Sequence, residues 1–495
     1  MNNAHTAWSI AAIAVYFAMM LLLGYLAYRR TRNLDDYMLG GRRLHPAVAA
    51  LSAGAADMSG WLLMGLPGAL YLTGLVEAWM SIGLTIGVWC NWYFVAPRLR
   101  AYTEVAGDAI TIPTFFDRRF GQGNHSLRVA AGVIILVFFT FYVSSGMTAS
   151  GTFMHATFGL DAWWGILIVA GVTLVYTFFG GFLGATWTDV AQGLLMLAAL
   201  VVVPIMTVVK MGGWSVVVDT LTTLDRAEGT DHFSFVVGSS AAAIISAAAW
   251  GLGYFGQPHI IVRFMALRSV QSATFGRRVG IVWMVLISIG ACAAGLIGRA
   301  FFIDHPLADQ ETVFLALSQA LFHPFVAGLV LSAVLAAIMS TLSSQLVVCS
   351  SALVEDLLLL FKKGGLTKPQ GLWAGRIGVL AVAIIAAILA LTAQDTILAL
   401  VAFAWAGFGA AFGPIVLLSL YWRRLTRPGA LAGMVAGAIT VVVWGKSALS
   451  GVLYEIVPGF LVCLLVAVAV SLATAAPSAT VIAEFDRAKA LTQRQ

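Results

Sequence analysis

The chain has 495 residues, 60% of them hydrophobic and only 10% charged, with a formal net charge of +6. A soluble domain carries roughly 25% charged residues, and no soluble core could absorb this much apolar surface, so the bilayer is the solvent for most of the chain. One integral-membrane domain covering 1–495 is expected, and the basic residues form no patch or basic helix that would suit a nucleic acid.

A spanning helix needs about 20 predominantly apolar residues. The first such run, 7–28, has no basic leader, and Arg29, Arg30 and Arg32 follow it, so it reads as a retained helix and not a cleaved signal. Further runs lie near 46–75, 76–96, 129–155, 161–180, 188–209, 235–259, 279–302, 324–350, 371–393, 396–422, 428–446 and 451–475, which makes thirteen. Sidedness supports that count. With the N-terminus outside and the C-terminus cytoplasmic, 24 of the 28 basic residues fall on the cytoplasmic side, Arg42, Arg43, Arg119, Arg263, Lys362, Lys363 and Arg494 among them. The opposite loops keep Lys210, Arg226, Arg299 and Lys446, and they carry Asp219, Asp225, Glu228 and Glu311. Between the ninth and tenth runs, 351–370 is too short to span and reads as an amphipathic stretch on the cytoplasmic surface. Cys90, Cys292, Cys349 and Cys463 lie in or at the end of apolar runs without metal-ligand spacing and read as free thiols.

Two runs break their own pattern. The second, 46–75, carries Ala-Ala-Asp57-Met-Ser-Gly60 about ten residues from its cytoplasmic edge. At ~1.5 Å per residue that is ~15 Å deep, near the middle of a ~30 Å hydrocarbon layer. A carboxylate there is costly unless it is hydrated, paired or buried in the bundle. It either caps a helix that restarts at Gly60 or serves a site, and both readings require an interruption. The seventh run holds Trp250-Gly-Leu-Gly-Tyr254-Phe-Gly-Gln-Pro258. Three glycines and a proline there will not hold a regular helix. Such backbone survives at membrane depth where it lines a protein-walled cavity, although a helix kinked at packing glycines is the plainer alternative.

The breaks fall in the second and seventh helices, so each opens a set of five, and five crossings invert the second set. The pattern predicts an inverted repeat, 46–209 and 235–422, flanked by one extra helix at 7–28 and two at 428–475. Paired interruptions at matching positions point to the substrate site of a secondary transporter. The ninth run adds Ala337, Ser340 and Thr341 on one helical face by i, i+3, i+4 spacing. Their hydroxyls and carbonyls offer neutral, hard oxygens suited to a small cation. No Lys or Arg lies within 324–350 to take a cation's place, which favours sodium over proton coupling. There is no zinc spacing, no Ser/His/Asp set at one depth and no phosphate-cradling loop, so an enzyme is not expected. His259 reads as a structural or gating residue.

At these motifs the chain resembles the sodium/solute symporter family over essentially its whole length. The residues carrying the likeness are Gly40-Gly-Arg42, Leu51-Ser-Ala-Gly-Ala-Ala-Asp57-Met-Ser-Gly-Trp61, Gly180-Gly-Phe-Leu183, Trp187-Thr-Asp189, Gly251-Leu-Gly-Tyr-Phe-Gly-Gln-Pro-His-Ile260 and Met339-Ser-Thr-Leu-Ser343. The resemblance implies an all-α membrane protein with a ten-helix LeuT-type core, sodium as coupling ion, and no organic cofactor or obligatory protein partner. It places the ion at the carbonyls of Ala55 and Met58 with Ala337, Ser340 and Thr341, supported by Asp57. The string Gly253-Tyr-Phe-Gly-Gln-Pro-His-Ile260 narrows the solute to L-proline, near Ser59, Trp61, Tyr142, Trp250, Tyr254 and Pro258. Pantothenate, a sugar or another amino acid is the alternative solute. Arg42 and Asp189 would belong to the cytoplasmic gate and exit path, in a bacterial inner membrane. Ala56 stands where the family commonly has serine, and Arg43 adds a second arginine beside Arg42.

Overall fold

A computed structural model describes residues 3–31, 37, 39–121, 125–358, 360, 368–392 and 396–493. Arg32, Lys362, Lys363 and Arg494, which enter the sidedness argument, lie outside the described residues. In hydrocarbon every backbone N–H and C=O must be satisfied within the protein, so a chain built of apolar runs folds as helices. The described residues form no strand; one isolated bridge joins Leu44 to Leu267.

In chain order the helices are α1 (Asn3–Tyr28), α2 (Pro46–Asp57), α3 (Leu66–Thr73), α4 (Ala78–Cys90), α5 (Ala96–Val105) and α6 (Ile112–Arg119). Then come α7 (Ser126–Phe158), α8 (Ala162–Met211), α9 (Trp214–Glu228), α10 (Ala241–Ala248), α11 (Pro258–Met265), α12 (Ser272–Phe301) and α13 (Val313–Leu321). The last are α14 (Pro324–Ser351), α15 (Lys368–Thr392), α16 (Ile397–Tyr421), α17 (Arg427–Gly445), α18 (Ile456–Ala473) and α19 (Ala479–Gln493). α14 packs against α8, α7 and α1, and all its residues from Val330 to Ser351 are buried.

Ten helical stretches among the described residues are long and apolar enough to cross a membrane. Two of them, Trp61–Val105 and Ala162–Met211, hold 45 and 50 residues. At ~1.5 Å per residue, 50 residues extend ~75 Å, more than twice the ~30 Å hydrocarbon layer. The seventh expected span is the shorter Ala241–Phe255 followed by α11.

Both expected interruptions are present. Met58 to Gly60 separate α2 from a wide π-helical turn, Trp61–Gly65, that runs into α3. In the seventh run a 3-10 turn, Ala249–Phe255, and then Gly256 and Gln257 separate α10 from α11. The bridge at Leu44, with Leu44 N donating to Ala266 O at 3.1 Å and Arg268 N to Leu44 O at 3.3 Å, ties the start of α2 to the end of α11. One half-helix thus enters the bundle where the other leaves it, and the two interrupted helices run in opposite senses.

Two expectations are corrected below. Between the runs expected near 161–180 and 188–209 the chain turns at a single hinge, Gly181, with φ 55° and ψ −144°, inside α8. A Cβ there would stand 2.4 Å from the Tyr37 ring, so both conformation and space require glycine. The stretch from 351 is not a surface element over its first part: Ala352–Leu358 extends α14 as a π-helical turn with Val354 and Asp356 buried, while 361–367 lie outside the described residues. Arg263, counted among the cytoplasmic basic residues, is fully buried within α11.

Candidate functional site

The site is built where the two interruptions meet. A half-helix that stops inside a bundle leaves its last carbonyls without intrahelical partners. At the end of α2, Ala55 O accepts a hydrogen bond from Ser340 Oγ of α14 at 2.7 Å. The same hydroxyl lies 3.0 Å from Ala337 O, which also accepts from Thr341 Oγ1 at 3.2 Å. Four of the five expected ion-binding residues therefore share one buried network of neutral oxygens. The fifth, Met58, is buried in the break itself, its N–H spent on Gly54 O at 3.1 Å.

Asp57 is the hinge of the arrangement. It is 1% exposed, and its Oδ2 accepts a hydrogen bond from the Tyr254 hydroxyl of the second interruption. Trp61 Nε1 donates to the Asp57 carbonyl at 3.3 Å, and Asn91 Nδ2 fixes the backbone of the other break through Tyr254 O at 2.9 Å. Asp57 Oδ1, Ser59 Oγ, Tyr142 OH, Gln257 Oε1 and both ring nitrogens of His259 are buried without a hydrogen-bond partner among the described residues. The His259 ring packs edge-on against Tyr142, with centroids 5.9 Å apart. Such orphaned polar atoms are costly in an apolar interior, and their gathering around two helix breaks marks a place for a polar ligand.

Aromatic rings wall this region. Trp250 lies 6.2 Å from Trp61, stacks on Trp405 at 6.3 Å and stacks on Tyr454 at 5.4 Å. Trp405 Nε1 donates to Trp250 O at 2.8 Å, and the Tyr454 hydroxyl donates to Ala402 O at 2.6 Å, which fixes both rings. Trp250 and Tyr454 also line a cavity of about 610 Å³ that has Glu77, Ser240, Thr396 and Ser450 on its walls. Of the expected solute residues, Pro258 stands apart: it lines a separate small cavity with Ile110, Thr111, Val348 and Asp356.

Asp189 belongs to a second buried polar cluster, one helical turn and more from the first. Its Oδ2 accepts from Ser52 Oγ at 2.6 Å and pairs with Arg263 at 3.1 Å. Arg263 further donates to Ser344 Oγ at 2.5 Å and to the carbonyl of His259. Arg42 is elsewhere, donating to Ala109 O at 2.7 Å and facing Asp108 at 3.6 Å. Arg42 and Asp189, the two residues expected in the gate and exit path, thus have different partners. The end of the bundle near Arg42 is closed by further ties: Arg128 to Asp356 at 2.9 Å, with Thr111 and Thr114 also donating to Asp356, and Arg427 to Asp117 at 3.0 Å.

Residue reading alone missed Arg263 as the partner of Asp189, Tyr254 as the partner of Asp57, and Trp405 and Tyr454 as supports of Trp250. Arg263 carried a signal, since it follows the seventh break by only five residues and a basic side chain so near a broken helix can turn inward. Tyr454, more than two hundred residues from Trp250, carried none.

Residues 37–437 match the family model described as the sodium:solute symporter family. The chain is 54% identical over 469 residues to the high-affinity proline transporter PutP of Bacillus subtilis, covering 94% of this chain and 98% of that one. It is 47% identical over 487 residues to the sodium/proline symporter of Escherichia coli, covering 97% and 96%. Among solved structures, the substrate-bound, outward-open state of a sodium-coupled sialic acid symporter superposes with a TM-score of 0.80 at 20% identity, covering 95% of this chain and 99% of that one. At that identity the likeness speaks for the fold, which is the LeuT-type arrangement with a broken first helix in each repeat.

Proposed function

The chain belongs to the sodium:solute symporter family, and we propose that it is a multi-pass bacterial membrane transporter that takes up L-proline on the inward sodium gradient by alternating access. The observation that carries this reading is the meeting of the two helix breaks at Asp57 and Tyr254, with a neutral oxygen cluster on one side and an aromatic wall on the other. The names of the relatives, a proline transporter and a sodium/proline symporter, support the choice of solute.

In this reading sodium is taken up by the carbonyls of Ala55, Met58 and Ala337 and the hydroxyls of Ser340 and Thr341. The Ser340 hydroxyl now spends its proton on Ala55 O. Turning that proton away leaves two oxygen lone pairs facing one point, which is what a small hard cation requires. Asp57 supplies the negative charge that makes a cation welcome there, and it holds the break through Tyr254. Proline has no polar side-chain group. Its ring suits the wall of Trp61 and Trp250, and its charged ends suit the unpartnered groups at Ser59, Tyr142 and the start of α11, where a half-helix N-terminus is positive. Tyr254 and Pro258 complete the expected solute set, Tyr254 by contact with Asp57 and Pro258 by shaping the path beyond the site.

Arg42 and Asp189 are assigned to the cytoplasmic gate and exit path, Arg42 in keeping with the ionic ties at its end of the bundle and Asp189 with its buried pairing to Arg263. Thirteen crossings place the N-terminus outside and the C-terminus in the cytoplasm, by the distribution of Lys and Arg. Two repeats at 46–209 and 235–422, with flanking helices at 7–28 and 428–475, complete the assignment.

The test is uptake of labelled proline by the purified chain in proteoliposomes, with sodium, lithium and proton gradients imposed separately. An inward sodium gradient should drive accumulation of proline. Failure to accumulate it, or a transported solute that excess proline does not displace, overturns the assignment. A panel with pantothenate, sugars and other amino acids identifies the cargo in that event.

A further inference from the structure

On the face of α4 turned away from the site lies a crevice of about 550 Å³ between α4 and α12. Ile82, Ile86, Val285 and Ile289 form its sides, and Trp214 and Phe233 close one end. This volume is in the range of small-ligand sites, roughly 300–1,000 Å³. Among the described residues the lining carries no charged side chain, only the hydroxyls of Ser81, Thr85 and Ser288 and the Cys292 thiol, so an ion or a zwitterion would find no opposite charge there to repay its lost hydration. The mouth opens between helices that are apolar enough to span, and Ile86 and Ile289 at its edge are 58% and 62% exposed. Along α12 the lining runs from Val285 to Leu296, which at ~1.5 Å per residue is ~16 Å, about half of a ~30 Å hydrocarbon layer. The closing end is aromatic, as chain segments at the membrane–water boundary commonly are, and it belongs to α9 and the loop after it, where Asp219, Asp225 and Glu228 are also found.

We infer that this crevice is a lipid site that holds one acyl chain of a bilayer phospholipid, lying along α4 and α12 and stopped by Trp214 and Phe233. A neighbouring transmembrane helix does not fit. It would be ~10 Å wide and would continue across the full layer, whereas the crevice ends at the aromatic roof. The site lies one helix away from the second interruption. On the opposite face of α4, Gly83 and Gly87 lie so close to the broken segment that a Cβ on either would stand 2.1 Å from Ala248 O or 2.3 Å from Gly251 O. A chain wedged between α4 and α12 therefore braces the helix against which the broken segment rests.

The experiment reconstitutes the full chain with a phosphatidylethanolamine that carries a photoactivatable diazirine in its acyl chain, and maps the labelled peptides by mass spectrometry. Labelling should concentrate on 75–86 and 285–296, several-fold above the equally exposed face at Ile377, Ile384 and Ile388 of α15. It should fall several-fold when Ile289→Trp and Ala293→Phe fill the crevice, and stay unchanged in Ile377→Trp. Labelling no higher than on α15, or undiminished by the filling substitutions, overturns the proposal. If the filled chain does not fold, the ratio of crevice to α15 labelling in the unaltered chain decides the matter alone.

Discussion

Between Asp57 and Trp61 the chain leaves helical geometry for only two residues, Met58 and Ser59, whereas between Ala248 and Pro258 it winds through a seven-residue 3-10 turn and two further residues before the helix resumes. The short break is polar. It brings a carboxylate, a serine and a set of freed carbonyls to one point, and the hydroxyls of α14 meet those carbonyls. The long break is aromatic, with Trp250 stacked between neighbours and its carbonyls tied by Trp405 and Asn91. Interrupting a helix costs the same kind of backbone hydrogen bonds in both cases, but the residues around each break decide what the freed groups can serve. One is suited to a cation, the other to the apolar ring of a solute, and a hydrogen bond from Tyr254 to Asp57 joins them.

If the short break handles the ion, its largest lever is the carboxylate. Asp57→Asn keeps the shape and removes the charge, so the sodium concentration for half-maximal uptake should rise by about 5- to 150-fold, the range set by losing about 1–3 kcal/mol from a buried polar interaction. Proline binding at saturating sodium should change far less. A sodium activation curve indistinguishable from that of the unaltered chain would remove Asp57 from the site. The converse applies to the long break. Trp250→Ala should weaken proline binding about tenfold, as expected for loss of a large aromatic wall, with little change in sodium activation at saturating proline. Direct binding of labelled proline to purified protein checks this. A variant that lost sodium affinity and proline affinity equally would dissolve the distinction between the two breaks.

The breaks themselves were legible because each violates a strong rule. A carboxylate near the middle of an apolar run and three glycines with a proline in another admit few structures in a bilayer. The hydroxyl face of α14 was legible from spacing, whereas its bond to Ala55 became visible only in the fold. What could not be read was pairing across the bundle. Arg263 counted as a loop arginine because sidedness weighs charge by sequence position, while in the fold it turns inward to Asp189. The extension of α14 through Asp356 looked like a surface stretch because its charges were taken as solvated; Thr111, Thr114 and Arg128 satisfy that carboxylate from two other elements. Helix-to-helix partners depend on rotation and register, which hydropathy leaves open.

The smallest expected effect is the most informative about how the breaks communicate. Tyr254→Phe removes one hydroxyl and keeps the ring that packs edge-on to Trp405 at 5.2 Å, so the aromatic wall should survive and proline affinity should shift only a few-fold. Asp57 loses the hydroxyl that donates to it, and sodium affinity should fall by a similar modest factor. The telling quantity is the ratio by which proline raises sodium affinity, which must equal the ratio by which sodium raises proline affinity. If the hydrogen bond carries the coupling, that ratio should move toward one in Tyr254→Phe, measured from either side. It should move no further when Tyr254→Phe is added to Asp57→Asn, because two changes that break one contact are not additive. A coupling ratio unaffected by Tyr254→Phe would mean that the breaks act on each other through the movement of whole helices, and that the contact between Asp57 and Tyr254 serves only to hold them in place.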